Sequence, residues 1–267
     1  MATLQQTISK LTTDVWENIN LADQLNTKFG EETISDILLL ELARLKNYNL
    51  RIIQTPKDKE KYKGTDWEWF IGSQAYGWIR FAIQAKKANP KYKGYYSCLA
   101  HKVNTELQVD ILKKYAKNNN AVPLYSFYNY FPNANQKEHW HCKKDFNQQL
   151  LGWTLTSIKN VEIALKTRGN RNFDFLHKQK ATLPMKCLFD CPILLRKYQD
   201  KTLVNQKIKL FDTEVTKIKS LPTHFLRSKG IESIDSFPEE LYNREIEIYP
   251  QRIVIFDLGE DGSNFKK

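Results

Sequence analysis

Ionisable and apolar residues alternate in two short strings in the first third of the chain. The first string contains Asp66 and Glu68, and the second contains Gln84 and Lys86. Successive side chains of a β-strand point to opposite faces, so the two polar residues of each string share a face. Residues 72–77 between the strings begin and end with glycine, and a connection of this length suits an antiparallel hairpin. We therefore predict two paired strands that bring two carboxylates, an amide and a lysine to one patch, with the intervening tryptophans in the core.

The wider pattern alternates segments of helical period with apolar segments that are typical of strands. It predicts helices over 31–47, 103–115 and 146–165, and further strands over 50–54, 122–128 and 252–257. The order helix, three strands, helix, strand favours an α/β (α+β) fold with a mixed sheet flanked by helices. We divide the chain into a helical lead-in (1–30), a core (31–166) and a C-terminal extension packed on that core (167–267).

Composition narrows the class of partner. The chain has 267 residues, with 41 Lys plus Arg against 30 Asp plus Glu, and the resulting charge of +11 favours a polyanion. Four cysteines are too few for a disulfide scaffold, so we expect them to be reduced. No apolar run approaches the roughly 20 residues of a membrane span, and the first residues do not read as a signal peptide. We expect a soluble cytoplasmic protein with no membrane partner.

The order of elements, with an acid at the second strand and Gln-x-Lys on the third, resembles the PD-(D/E)XK superfamily of restriction-endonuclease-like nucleases. The string Gln84-Ala85-Lys86 is similar to that of the Mrr-like branch, where glutamine often replaces the acid of Glu-x-Lys. The chain also resembles an uncharacterised bacterial family that shares residues 64–69, 84–86 and 123–129. The superfamily resemblance covers roughly residues 31–130 and implies an αβββαβ core.

This resemblance implies a set of catalytic residues. Asp66 would be the metal-binding acid, Gln84 would take the position of the second acid, and Lys86 would be the catalytic lysine. Glu32 matches the first-helix glutamate that often completes such sites, and Glu31 replaces it if the helix register is shifted by one residue. The implied activity is metal-dependent hydrolysis of phosphodiester bonds in DNA, and many such bacterial nucleases serve defence against foreign DNA.

The expected cofactor is Mg²⁺ or Mn²⁺, because these cations prefer oxygen ligands. The ligands would be the carboxylates of Asp66 and Glu32 and the backbone carbonyl of Ala85. Gln84 brings no charge to the site. We therefore expect the carboxylate of Glu68 to be a further metal ligand that supplies the missing negative charge.

Candidate nucleic-acid contacts follow the Gln-x-Lys string, where lysines interleave with tyrosines in a pattern that suits phosphate contacts. The expected contacts are Lys87, Lys91, Tyr92, Lys93 and, on the next helix, Gln108. Because this fold often uses two subunits to cut two strands, the resemblance also suggests a homodimer. Two other functions stay open at this point: an inactive nucleic-acid-binding module of the same fold, and an RNase or ligand-gated effector.

A zinc site is the remaining metal hypothesis. His139, His141 and Cys142 lie close together, and Cys187 and Cys191 are four residues apart. Imidazole and thiolate are the usual zinc ligands, but these spacings match neither a standard finger nor a ribbon. We therefore do not expect zinc.

Overall fold

In the computed structural model of the protein, the described residues are 3–45, 50–54, 65–222, 225, 231–233 and 252–259. The helices are α1 (Leu4–Gln24), α2 (Glu31–Ala43), α3 (Gln108–Asn118), α4 (Gln136–His139), α5 (Ile158–Lys166), α6 (Phe173–His177), α7 (Cys187–Asp190) and α8 (Pro192–Gln199). The strands are β1 (Leu50–Gln54), β2 (Trp67–Ser73), β3 (Gly77–Lys87), β4 (Lys102–Val103), β5 (Glu106–Leu107), β6 (Val122–Tyr128), β7 (Trp153–Ser157), β8 (Thr182–Pro184), β9 (Lys207–Leu210), β10 (Thr213–Thr216), β11 (Ile231–Ser233) and β12 (Arg252–Asp257). The predicted mixed α/β class is confirmed. Among the described residues, no helix is both long and apolar enough to cross a membrane.

The chain forms two compact units, and each is discontinuous in sequence. The first contains residues 1–41, 85–110 and 124–195, and the second contains residues 42–84, 111–123 and 196–267. These units do not follow the division into lead-in, core and extension. One boundary between the units falls within β3 and another falls within β6. Each of these two strands therefore contributes residues to both units.

The first unit contains α1, most of α2, the end of β3, most of β6, and the strands β7 and β8. The end of β3, β6, β7 and β8 are hydrogen-bonded neighbours in that order, and β7 is antiparallel to β6 and β8. Helix α1 begins with a reciprocal cap, in which Thr3 and Gln6 each accept the other's backbone N–H. Gly152 permits a close approach to α1, because an added Cβ would lie 2.3 Å from the Thr12 carbonyl oxygen. The predicted helical lead-in is therefore a packed helix of 21 residues.

In the second unit, the C-terminal strand lies inside the sheet. The strands β11, β1, β12, β2 and β3 are neighbours in that order. Strand β12 pairs antiparallel with β1 and parallel with β2, while β2 and β3 form the predicted antiparallel hairpin. The prediction of the late strand is confirmed. Strands β1 and β2 are consecutive in the chain but are not neighbours in the sheet, because β12 lies between them.

Two predicted helices need correction. The helix predicted from residue 103 begins at Gln108, because Val103 and Leu107 belong to the short β4–β5 pair. The helix predicted over 146–165 is formed only by α5, and the residues before it form a 3₁₀ turn and β7. Every residue of β7 is buried, although Trp153, Thr154, Leu155 and Thr156 alternate between apolar and polar side chains. The highly charged segment 57–63 lies outside the described residues.

Because β12 lies inside the sheet, its buried side chains should contribute to the stability of the fold. Ile255 is completely buried, and its truncation to alanine should lower the free energy of unfolding by about 2–5 kcal/mol. The matched control is Ile193→Ala, because Ile193 is 54% exposed and should change stability little. Denaturant unfolding followed by circular dichroism measures both variants, and equal effects would contradict an internal position for β12.

Candidate active site

Main-chain hydrogen bonds on two sides fix the position of Asp66 immediately before β2. Its N–H donates to the Ile83 carbonyl at 3.0 Å, and its own carbonyl accepts the Arg252 N–H at 3.2 Å. The preceding residue strengthens this anchor, since the Thr65 hydroxyl accepts the Ile83 N–H at 2.9 Å. Asp66 is half-buried at this position. The second unit therefore holds this carboxylate at the junction of β2, β3 and β12.

Gln84 lies on β3 with its side chain beside Asp66. The Gln84 Nε2 group donates a hydrogen bond to a carboxylate oxygen of Asp66. A carboxylate accepts hydrogen bonds, so this contact fixes the orientation of the amide and turns Oε1 away from the carboxylate. The Oε1 atom is buried and has no hydrogen-bond partner among the described residues. A buried amide oxygen without a donor is costly, by roughly 1–3 kcal/mol.

In contrast, Glu68 is a buried structural residue. It is completely buried and forms an ion pair with Arg80, and the Tyr115 hydroxyl donates to its second carboxylate oxygen at 2.6 Å. Burial, together with the charge of Glu68, raises the pKa of Tyr115 well above its ordinary value, so the hydroxyl stays protonated. Burial alone would lower the pKa of Arg80, but Glu68 and Tyr115 raise it. The Glu68 carboxylate thus already has a cation and a hydroxyl as partners.

The register of the β2–β3 hairpin predicts the ion pair between Glu68 and Arg80. Glu68 lies directly opposite Ala82, so its diagonal neighbours on the same face of the hairpin are Arg80 and Gln84. Opposite charges at diagonal positions favour an ion pair over a metal ligand. The register of the hairpin therefore predicts that Glu68 pairs with Arg80.

In the first unit, the acidic start of α2 meets the end of β3. The Glu31 carboxylate lies 3.4 Å from the Lys86 Nζ atom and accepts the Lys87 backbone N–H at 3.1 Å. Lys86 is buried, while Glu32 is exposed. The structure thus brings Lys86 together with Glu31, the alternative first-helix glutamate. Ala85, the expected carbonyl ligand, is a buried residue of β3 between Gln84 and Lys86.

The nucleic-acid candidates differ in exposure. Lys91, Tyr92 and Lys93 are exposed in and after a 3₁₀ turn, and Tyr92 exposes 70% of its surface. Lys87 is half-buried, and burial lowers its pKa against the opposing effect of Asp23 and Glu31. Gln108 is buried at the first position of α3. Its side-chain oxygen has no hydrogen-bond partner in the part of the chain that the structure describes.

The residues of the zinc hypothesis fall into separate groups within the first unit. His139 lies 3.1 Å from Asp174, and His141 contacts the His177 carbonyl at 2.9 Å. Cys142 instead lies beside Cys187, with 3.3 Å between the sulfur atoms. All four cysteines are free thiols.

One possible metal-binding group within the described residues combines a histidine with two carboxylates, and its members are Glu138, His139 and Asp174. A lysine already contacts both carboxylates of this group. The Lys178 Nζ atom lies 2.8 Å from Glu138 and 2.9 Å from Asp174.

Removing the Glu68 carboxylate should destabilise the fold. Glu68→Ala would leave Arg80 largely buried without its counter-charge, and we expect a loss of about 3–5 kcal/mol in the free energy of unfolding. Glu214→Ala is the matched control, because its ion pair with Lys207 is solvent-exposed and should contribute little. Chemical denaturation of both variants provides the test, and a fully stable Glu68→Ala protein would contradict the structural role.

Comparison with known proteins gives a family but no function. Neither a curated protein nor a solved structure matches the chain. The sequence profile of DUF6615, a family of unknown function, matches residues 4–261. This match covers nearly the whole chain, and the protein therefore belongs to the DUF6615 family.

Proposed function

We propose that the protein is a Mg²⁺-dependent nuclease that hydrolyses phosphodiester bonds in DNA. The observation that carries the proposal is the buried Oε1 atom of Gln84, which lacks a donor among the described residues and belongs to an amide in contact with Asp66. The chain order of α2, β1, β2, β3, α3 and β6 supports the same proposal, because it follows the αβββαβ order expected of restriction-endonuclease-like nucleases. The short β4–β5 pair precedes α3, and β12 lies between β1 and β2 in the sheet.

The residues present fit a magnesium ion. Asp66 offers a carboxylate, and Gln84 offers an amide oxygen that a cation or its bound water would satisfy. The Ala85 carbonyl is the third proposed ligand. Mg²⁺ keeps several waters and is often held by only one or two carboxylates together with substrate phosphates. When bound, the ion would lower the pKa of a water molecule and neutralise charge on the phosphate.

Lys86 is the proposed catalytic lysine. It is two residues from Gln84 on β3, and side chains at this spacing leave the same face of a strand. Its ammonium group can orient the attacking water and stabilise the charge that develops on the phosphate. The Glu31 carboxylate, 3.4 Å away, holds that ammonium group in place. Glu31 is therefore a positioning residue in this proposal.

The proposed partner of the protein is DNA. The net charge of +11 favours a nucleic acid, and the exposed Lys91, Tyr92 and Lys93 offer two phosphate contacts and one aromatic ring. We assign the activity to the cytoplasm and to defence against foreign DNA, as the resemblance to restriction-like nucleases implies. A homodimer would supply one catalytic site for each strand of a duplex.

Cleavage assays with purified protein test the catalytic assignment. Asp66→Asn and Lys86→Met should each lower Mg²⁺-dependent cleavage of plasmid DNA by at least about 100-fold, while filter binding to the same DNA survives. EDTA should abolish wild-type cleavage, and Mn²⁺ should restore it. Binding without cleavage in wild type under Mg²⁺ and Mn²⁺ would instead support an inactive binding module, and a preference for RNA would support an RNase.

The two adjacent glutamates of α2 form a matched pair for the positioning role. Glu31→Gln removes the charge beside Lys86 and should lower the cleavage rate by about 10- to 100-fold, with little change in DNA affinity. Glu32→Gln alters an exposed side chain and should leave the rate unchanged. Equal effects of the two substitutions on the rate constant would contradict the assignment of Glu31.

A substitution that adds a negative charge at position 84 tests whether this residue binds the metal ion. Gln84→Glu adds a carboxylate next to Asp66 and should lower the Mg²⁺ concentration for half-maximal cleavage by about tenfold, because cation affinity increases with the charge of the ligand set. Titration calorimetry with Mn²⁺ should show the same direction. Unchanged metal affinity in both measurements would argue against metal binding by residue 84.

A further inference from the structure

Cys142 and Cys187 form a close thiol pair in the first unit. Cys142 follows α4, and Cys187 begins α7, 45 positions later in the chain. Their sulfur atoms lie 3.3 Å apart, and the Cys187 thiol donates its hydrogen to the Cys142 sulfur. Cys142 is half-buried, whereas Cys187 is buried. Cys142 is thus the more exposed residue of the pair.

The surroundings make Cys142 the thiolate of the pair. The hydrogen bond from Cys187, with smaller effects of the Lys144 backbone N–H and the Lys186 charge, lowers the pKa of Cys142 to about 6 against burial and Asp190. The same hydrogen bond and burial raise the pKa of Cys187. A thiolate is the nucleophilic form of cysteine, so Cys142 is the thiol that reacts first with an oxidant.

We propose that Cys142 and Cys187 form a reversible disulfide when the protein reacts with a peroxide. In the first step, the Cys142 thiolate attacks a peroxide oxygen, so that an S–O bond forms, the O–O bond breaks and the leaving hydroxide takes a proton to become water. In the second step, the Cys187 sulfur attacks the Cys142 sulfur. The S–S bond forms, the S–O bond breaks, and the released hydroxide takes the proton of Cys187. Two thiols are oxidised, and one peroxide is reduced to two waters.

The disulfide would fix one loop of the first unit to the start of α7. The loop that carries Cys142 also carries Trp140 and Phe146, which pack in one cluster with Trp16 of α1. A covalent link therefore connects this cluster to α7. None of these residues belongs to the proposed nuclease site, so the disulfide can be tested without any cleavage assay.

Peptide mapping tests the proposal on the full-length protein. Protein reduced with dithiothreitol, freed of reductant and treated with hydrogen peroxide is blocked with N-ethylmaleimide and digested without reduction. Mass spectrometry should find the Cys142–Cys187 linked peptide, and dithiothreitol should remove it. The linked peptide should be lost in Cys142→Ser and kept in Cys98→Ser, since Cys98 is exposed and outside the pair.

A second variant separates the two chemical steps. Cys187→Ala removes the second thiol, so peroxide should leave a sulfenic acid on Cys142 that dimedone labels. Three outcomes would overturn the proposal: no linked peptide in folded wild-type protein, Cys191 as the main partner of Cys142, or one zinc ion per chain bound by these thiols in the purified protein. If Cys142→Ser fails to fold, the wild-type map and the dimedone label still decide.

Discussion

The hydrogen bonds of β12 are the constraint on which the second unit and its candidate acid depend. This strand pairs with β1 on one side and with β2 on the other. Its first residue, Arg252, donates its backbone N–H to the carbonyl of Asp66. The backbone of Asp66 is therefore held in place by a strand that comes almost 190 residues later in the chain. Asp66 needs this anchor because it precedes β2 and lies outside the strand's own ladder.

Buried charge separates the polar face of the hairpin into two parts. Glu68 forms an ion pair with Arg80 and accepts a hydrogen bond from Tyr115, so removal of its carboxylate would leave the Arg80 charge largely buried without a counter-charge. Asp66 and Gln84 form the other part, where a buried amide oxygen still lacks a donor among the described residues. The candidate metal site thus has fewer charges than the alternation of the sequence suggests. Weak Mg²⁺ binding that substrate phosphates strengthen is the expected consequence.

Local patterns predicted most of the elements around the site. Helix α2, the β2–β3 hairpin and β6 lie where periodicity and turn residues placed them, because their signals depend on neighbouring residues alone. The position of β12 depends on pairing between distant segments, which alternation in a single strand does not reveal. The choice between Glu31 and Glu32 also needs tertiary structure, since adjacent helix positions differ by about 100°. Only contact with β3 identifies the one that reaches Lys86.

Crystals of the protein grown or soaked with Mn²⁺ would test the central claim most directly, because anomalous scattering locates this ion independently of activity. The account predicts one strong anomalous peak within bonding distance of an Asp66 carboxylate oxygen, with Gln84 Oε1 bound to the ion directly or through one of its waters, and the loss of this peak in Asp66→Asn. A well-ordered map without manganese at this position, in which Gln84 Oε1 instead accepts a hydrogen bond from a protein donor, would contradict it.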